Sequence, residues 1–74
     1  MNIVRIALAV PLPRFFDYLY STDLMPIIGG RVLVPFGSQK RVGIVVDLPA
    51  SSDVAKEKLK PIIDVLDTES LFNS

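Results

Sequence analysis

The sequence lacks the residues on which many enzyme sites depend. Its 74 residues include no cysteine and no histidine, which excludes disulfides, thiol nucleophiles, ordinary zinc sites and histidine-based acid–base catalysis. Net charge is absent too, because eight basic residues balance eight acidic ones, whereas a duplex-DNA-binding protein is usually basic. No apolar run approaches the roughly 20 residues of a membrane-spanning helix, and Arg5 interrupts the first apolar stretch, unlike a signal peptide. We therefore expect a cytoplasmic, non-enzymatic module that does not contact membranes.

The apolar content is sufficient for one small domain. Half of the residues are apolar and 22% are charged, a composition that excludes a disordered tail. Residues 1–41 carry five basic and two acidic residues, net +3, whereas residues 42–74 carry three basic and six acidic residues, net −3. This split is either chance in a short chain or the mark of a basic ligand-facing side and an acidic side that faces elsewhere.

Alternating hydrophobicity predicts an all-β fold. Apolar residues alternate with small or polar ones in five segments, which we predict to be strands: 2–10, 15–20, 31–36, 42–48 and 60–66. A three-residue loop with Gly37 predicts a hairpin between the third and fourth strands, and at most a short helical turn is expected near 54–58. Only closure or covering protects the edges of so small a sheet, so we predict a small five- to six-stranded barrel or sandwich.

The last four residues resemble the start of a helix. Leu71 and Phe72 precede Asn73 and Ser74, which are residue types that cap helix N-termini. We therefore predict that residues 1–74 form a single domain that is part of a longer protein, cut before a following helix.

An aromatic segment is the first candidate site. Residues 11–20 contain four of the six aromatic residues together with one arginine and one carboxylate, Asp17. They form either a core strand whose Asp17 faces water, or a platform on which an aromatic ring stacks with a base or sugar while Asp17 accepts a hydrogen bond. The residues alone leave both interpretations open.

Glycine and lysine residues suggest two further contacts. Gly37 would let a ligand approach the backbone of the predicted hairpin, although a tight turn with a basic, solvated tip explains it as well. Lys56 and Lys58 are typical of a solvated loop. Lys60 differs because it lies at the entry of a predicted strand, just before Pro61, where its position is better fixed.

Five segments in order resemble the PriA family of replication-restart helicases (primosomal protein N-prime). They cover nearly the whole chain, and five motifs in register are far more specific than any one of them: 10–14 (VPLPR), 16–19 (FDYL), 30–37 (GRVLVPFG), 43–46 (GIVV) and 59–67 (LKPIIDVLD). Ser38 departs from the family pattern, where many members carry a basic residue. The resemblance is to the N-terminal part of the family's DNA-binding domain.

The resemblance implies a function and a set of site residues. The module captures the 3′-hydroxyl end of a nascent strand at stalled replication forks, for replication restart, without preference for the base. The residues that match the family's 3′-end pocket are Phe16, Asp17, Tyr18, Gly37 and Lys60. Asp17 would accept a hydrogen bond from the terminal hydroxyl and repel a continuing or phosphorylated strand.

The resemblance also implies what lies outside the chain. The family's ATP-dependent 3′–5′ helicase activity and its ATP, magnesium and zinc belong to other parts of the full-length protein, so we expect no cofactor and no catalysis here. Partners of the full-length protein would be fork DNA, primosome proteins and single-strand-binding proteins, and this chain would be a monomer. The alternative is a structural or protein-interaction β-module that docks on a larger enzyme through Ile62, Leu66 and Leu71.

Overall fold

Five antiparallel strands form one sheet in a computed structural model that describes residues 2–12 and 14–68. The sheet order is β2-β1-β4-β3-β5. The strands are β1 Ile3–Leu8, β2 Phe16–Leu19, β3 Arg31–Phe36, β4 Gln39–Asp47 and β5 Asp64–Val65. A 3₁₀ turn, Lys56–Lys58, lies between β4 and β5. All five predicted strands are present, and the all-β prediction is confirmed. No helix in the described part of the chain is long and apolar enough to cross a membrane.

The strand bounds differ from those predicted where backbone pairing ends. The chain bends over residues 9–12, so β1 stops at Leu8 instead of residue 10. β5 pairs with β3 only at Asp64 and Val65, far less than the predicted 60–66. The residues before β5 pair elsewhere, at the opposite edge of the sheet. The helix start predicted at residues 71–74 lies outside the described residues.

This second pairing closes the sheet. The Leu19 amide donates to the carbonyl oxygen of Lys60 at 2.9 Å, and the Ile62 amide donates to the Leu19 carbonyl oxygen at 2.9 Å, on either side of a parallel bridge to Pro61. β2 and β5 are the two outer strands of the sheet, so the chain between 60 and 65 joins both edges. The strands are thereby closed into a small barrel, one of the two predicted architectures, and part of each sheet edge is covered.

The inward-facing positions fill the barrel with branched side chains. Alternation in β1 is as predicted, because Val4 and Ile6 are fully buried and Leu8 packs against them. Gly43 of β4 faces the same interior, and a Cβ atom there would lie 2.8 Å from Leu8 Cδ2 and overlap Ile6 Cγ2. Ile62 is also a core residue, 8% exposed. The alternative that used Ile62 as a docking residue is therefore wrong for this residue, since the barrel interior covers it.

The hairpin between β3 and β4 is confirmed, but its loop is shorter than predicted. Phe36 pairs with Gln39, which leaves Gly37 and Ser38 as a two-residue loop. Gly37 has φ +61° and no non-glycine residue among those described has a positive φ. Glycine at the first loop position with positive φ matches a type II′ turn, whose twist suits the strands on either side.

Candidate nucleic-acid interface

A groove of about 320 Å³ runs along one side of the barrel. This volume lies at the lower end of the range of small-ligand sites, about 300–1,000 Å³. Three parts of the chain line it: residues 14–18 at the start of β2, residues 35–37 at the β3–β4 turn, and the segment that contributes Val54, Lys58 and Lys60. All five residues singled out in the sequence, Phe16, Asp17, Tyr18, Gly37 and Lys60, therefore lie around one groove, hereafter called the groove.

Asp17 is held by two side chains of the protein. Arg5, its partner in the β1–β2 register, donates from Nε to Oδ1 at 2.9 Å and from Nη2 to Oδ2 at 3.2 Å. Ser52 donates from Oγ to Oδ2 at 2.5 Å. The Asp17 side chain is only 9% exposed. Burial alone would raise the pKa of this carboxyl, but the hydrogen bonds from Arg5 and Ser52 outweigh it and keep the pKa below its usual value.

These contacts exclude the interpretation in which Asp17 simply faces water. A carboxylate offers about four acceptor positions, and Arg5 and Ser52 occupy three of them. One acceptor position of the carboxylate therefore has no partner among the described residues, and Asp17 is one of the residues that line the groove. Arg5 is also within 4.0 Å of Asp47, so it bridges β1 to both neighbouring strands.

Tyr18 contributes to the core more than to the groove. It is 5% exposed and belongs to the buried cluster, as the alternation of β2 predicts. Its hydroxyl donates to the carbonyl oxygen of Pro35 at 2.8 Å, which ties β2 to β3 across the inside of the barrel. Burial raises the pKa of Tyr18. The sequence-based expectation of core packing in this segment is thus correct for Tyr18.

Phe16 is half-buried and already has partners on the protein. Its ring meets that of Phe36 edge to face, with centroids 5.2 Å apart and an interplanar angle of 85°. The guanidinium carbon of Arg14 lies 4.8 Å from the Phe16 centroid, over the ring. The first contact is a favourable edge-to-face aromatic pair, and the second is a cation–π interaction. The neighbouring Phe15, by contrast, is 59% exposed.

Gly37 and Lys60 lie where the backbone is fixed by the fold. None of the residues that the structure describes lies within 4 Å of a Cβ atom built at Gly37, so a ligand could approach this backbone closely. The carbonyl oxygen of Lys60 accepts the closing hydrogen bond from Leu19, while the Lys60 side chain is exposed at the groove. The prediction that Lys60 is better positioned than a loop lysine is supported by this bond.

The groove is positively charged although the chain is neutral. Among the residues that the structure describes, three cations line it, Arg14, Lys58 and Lys60, and the one carboxylate, Asp17, is paired with Arg5. Two of these cations come from the acidic half of the sequence. The +3/−3 split along the chain therefore does not separate two faces of the barrel.

Sequence reasoning missed several residues that shape the groove. Lys58 was interpreted as part of a solvated loop, yet it lines the groove from the 3₁₀ turn. The roles of Arg5 and Ser52 depend on strand register and on a long-range loop contact, for which the sequence carries no local signal. Phe15 and Arg14 were noted within the aromatic segment but were not selected as site residues.

Comparison with known proteins identifies relatives over nearly the whole chain. A family model described as "3′DNA-binding domain (3′BD)" matches residues 5–74. The replication restart protein PriA of Haemophilus influenzae is 61% identical over 72 residues, which cover 97% of this chain and 10% of that protein. PriA of Buchnera aphidicola (subsp. Acyrthosiphon pisum) is 40% identical over the whole chain, and PriA of Bacillus subtilis is 39% identical over 56 residues, 73% of the chain.

The chain spans about a tenth or less of the length of these curated relatives, 10%, 10% and 7% respectively. The family match, by contrast, extends over nearly all of its residues and includes every part of the chain that lines the groove. The chain belongs to the 3′DNA-binding domain (3′BD) family of PriA replication restart proteins.

Proposed function

We propose that this domain captures the 3′-hydroxyl end of a DNA strand in the groove, as a step in replication restart at stalled forks. The observation that carries the proposal is the convergence of Phe16, Asp17, Tyr18, Gly37 and Lys60 on one positively charged groove. The family match supports DNA as the ligand, and the volume of the groove, about 320 Å³, falls in the range of small-ligand sites.

Asp17 gives the groove its selectivity for an end. Its remaining acceptor position accepts a charge-assisted hydrogen bond from the terminal hydroxyl. A strand that continues, or that ends in a phosphate, would bring a negative charge to the same carboxylate. Because the pKa of Asp17 is lowered by Arg5 and Ser52, the carboxylate is ionised at neutral pH and this repulsion is present under working conditions.

The cations of the groove hold the phosphates that precede the end. Arg14, Lys58 and Lys60 reach the groove from two different parts of the chain. Only a few phosphates can lie near three cations, so binding depends moderately on salt, unlike that of a protein that follows a long duplex. Contacts to the sugar, its hydroxyl and the phosphates do not depend on the identity of the base. Binding through these groups is therefore independent of the base, as base-nonspecific capture requires.

Three oligonucleotides that differ only at the 3′ terminus test the proposal. The chain is titrated with a short single strand that ends in a 3′-hydroxyl, a 3′-deoxy (dideoxy) sugar or a 3′-phosphate. Loss of one charged hydrogen bond corresponds to about 1.5–3 kcal/mol, so the dideoxy strand is expected to bind at least tenfold more weakly, and the phosphate weaker still. Equal affinity for the three strands would contradict end recognition.

Two pairs of variants test the role of Asp17 in end discrimination and the role of Lys60 in binding phosphates. Asp17→Asn is expected to abolish the discrimination, whereas Ser52→Ala keeps the carboxylate and is expected to retain it. Lys60→Ala is expected to weaken all three strands alike and to lower the salt slope by about one, whereas Lys56→Ala, a lysine that does not line the groove, is the matched control. Circular dichroism spectra establish that each variant is folded.

We propose that, within a longer protein, the domain serves to position that protein on DNA. If the chain is part of a PriA protein, the domain would position that protein at the 3′ end of a nascent strand, while ATP-driven unwinding and contacts with other primosome proteins belong to other segments. A cytoplasmic location accompanies this role, because bacterial chromosomes are replicated there.

A further inference from the structure

Phe15 is the most exposed of the large apolar side chains in the described residues. It is 59% exposed, precedes β2 directly and lines the groove. Isolated exposed apolar side chains are common on protein surfaces. Phe15 differs because its ring lies in the wall of a groove that several cations also line. The cations of the groove, Arg14, Lys58 and Lys60, make an anionic aromatic ligand the complementary occupant.

The other aromatic rings of β2 are already engaged. Tyr18 is buried and its hydroxyl is bonded to Pro35. Phe16 is half-buried, with Arg14 over its ring and the ring of Phe36 at 5.2 Å. Stacking of a base on Phe16 or Tyr18 would require displacement of these contacts, whereas the ring of Phe15 needs no rearrangement.

From this arrangement we infer that Phe15 is the stacking platform for the second nucleotide of the bound strand, the one that precedes the 3′ end. The inference rests on the proposed function. A strand whose terminal sugar is held at Asp17 inside the groove must leave the groove over its rim, and among the aromatic residues that line the groove Phe15 is the exposed one. Stacking tolerates every base, so this contact adds affinity without sequence preference.

Nucleotide number and base content provide the test. Wild-type chain, Phe15→Ala and Phe15→Tyr are titrated, by chemical-shift changes, with a nucleoside 5′-monophosphate, a dinucleotide, and a dinucleotide that is abasic at its first position, all with a 3′-hydroxyl. Phe15→Ala is expected to bind the dinucleotide about 5- to 150-fold more weakly, the range for loss of one stacked base. It is expected to bind the monophosphate and the abasic dinucleotide as the wild type does, and Phe15→Tyr is expected to bind all three normally.

Two results would overturn the inference. One is a dinucleotide affinity that Phe15→Ala leaves unchanged, and the other is an equal loss for the monophosphate, the abasic dinucleotide and the full dinucleotide. Leu12→Ala is the matched control, because it removes another exposed apolar side chain, 45% exposed, that does not line the groove. Thermal unfolding of each variant establishes that the fold is intact.

Failure of the inference is distinguishable from failure of the proposed function. If wild-type chain prefers a 3′-hydroxyl over a 3′-phosphate while Phe15→Ala binds the dinucleotide normally, only the role of Phe15 is wrong. If wild-type chain shows no preference between these ends, end capture is wrong, and the comparison of full and abasic dinucleotides still decides whether Phe15 stacks on a base. Absence of binding to every oligonucleotide would overturn both.

Discussion

Replacement of Tyr18 by phenylalanine separates a structural role from a ligand-binding role at this position. The substitution keeps the buried ring, and with it the apolar contacts of the core, but removes the hydroxyl that donates to Pro35 at 2.8 Å. A hydrogen bond of this kind contributes about 0.5–1.5 kcal/mol to the free energy of unfolding. Because the carbonyl oxygen of Pro35 would lose this donor in a partly buried place, we expect a loss of about 1 kcal/mol.

Thermal and urea unfolding measure this loss. In a domain of this size, about 1 kcal/mol lowers the unfolding temperature by about 4–8 °C, and lowers the urea midpoint by up to about 1 M. Far-UV circular dichroism is the suitable signal, because the chain has no tryptophan and the substitution removes one of its two tyrosines. Tyr20→Phe is the control: Tyr20 also packs against the core, but its side chain makes no hydrogen bond with another described residue.

Binding and pH complete the test. Affinity for a 3′-hydroxyl strand is expected to be unchanged in Tyr18→Phe, because the hydroxyl is directed to Pro35 and not to a ligand. The raised pKa of Tyr18 means that its contribution to stability is fully present below the unfolded value near pH 10 and is lost as pH rises through the folded value. This alkaline loss should be smaller in the variant. Normal stability together with weakened DNA binding would refute the structural role and assign the hydroxyl to the ligand.

Three other substitutions test the fold and the groove. Gly43→Ala should lower the free energy of unfolding by about 1–3 kcal/mol, because its Cβ would overlap Ile6; a urea midpoint equal to that of wild type would contradict the close packing. Gly37→Ala should cost about 1 kcal/mol through its positive φ alone, since the space around it is open, and urea unfolding measures this too. The lowered pKa of Asp17 predicts stability that is present above about pH 4 and lost as pH falls through the folded value; an acid titration of Asp17→Asn should lack this part, and an unchanged profile would rule out the hydrogen-bonded Asp17 carboxylate as its source.

The strands could be predicted from the sequence because each reflects a local pattern. Val4, Ile6 and Tyr18, which alternate with less buried residues in β1 and β2, are buried, and β3 was predicted with its correct bounds. The bounds of β5 could not be predicted, because they depend on which strand the neighbouring residues pair with. Pro61 pairs with β2, whereas Asp64 pairs with β3. The apolar periodicity of the segment is the same for either pairing, so it cannot indicate where one ends and the other begins.

The sequence could select residues that share one groove, but it could not predict their geometry. The resemblance selected residues that the fold brings together, among them Asp17 and Lys60, but it could not indicate that Asp17 is bound to Arg5 and Ser52. That arrangement depends on the β1–β2 register and on a loop that crosses the strand. Nor could the sequence distinguish the exposed Phe15 from the half-buried Phe16, since exposure depends on where the bend before β2 ends.

The bridge between Leu19 and Pro61 joins two walls of the groove that are far apart in the sequence. β2 supplies one wall and the segment at Lys60 another, and the two Leu19 hydrogen bonds hold them together. Contacts so distant in sequence carry a high loop-closure cost and tend to slow folding. A bound DNA end would stabilise the closed barrel by an amount that grows with the logarithm of the DNA concentration above Kd. Slower hydrogen exchange at the Leu19 and Ile62 amides would report occupancy of the groove without any label on the DNA.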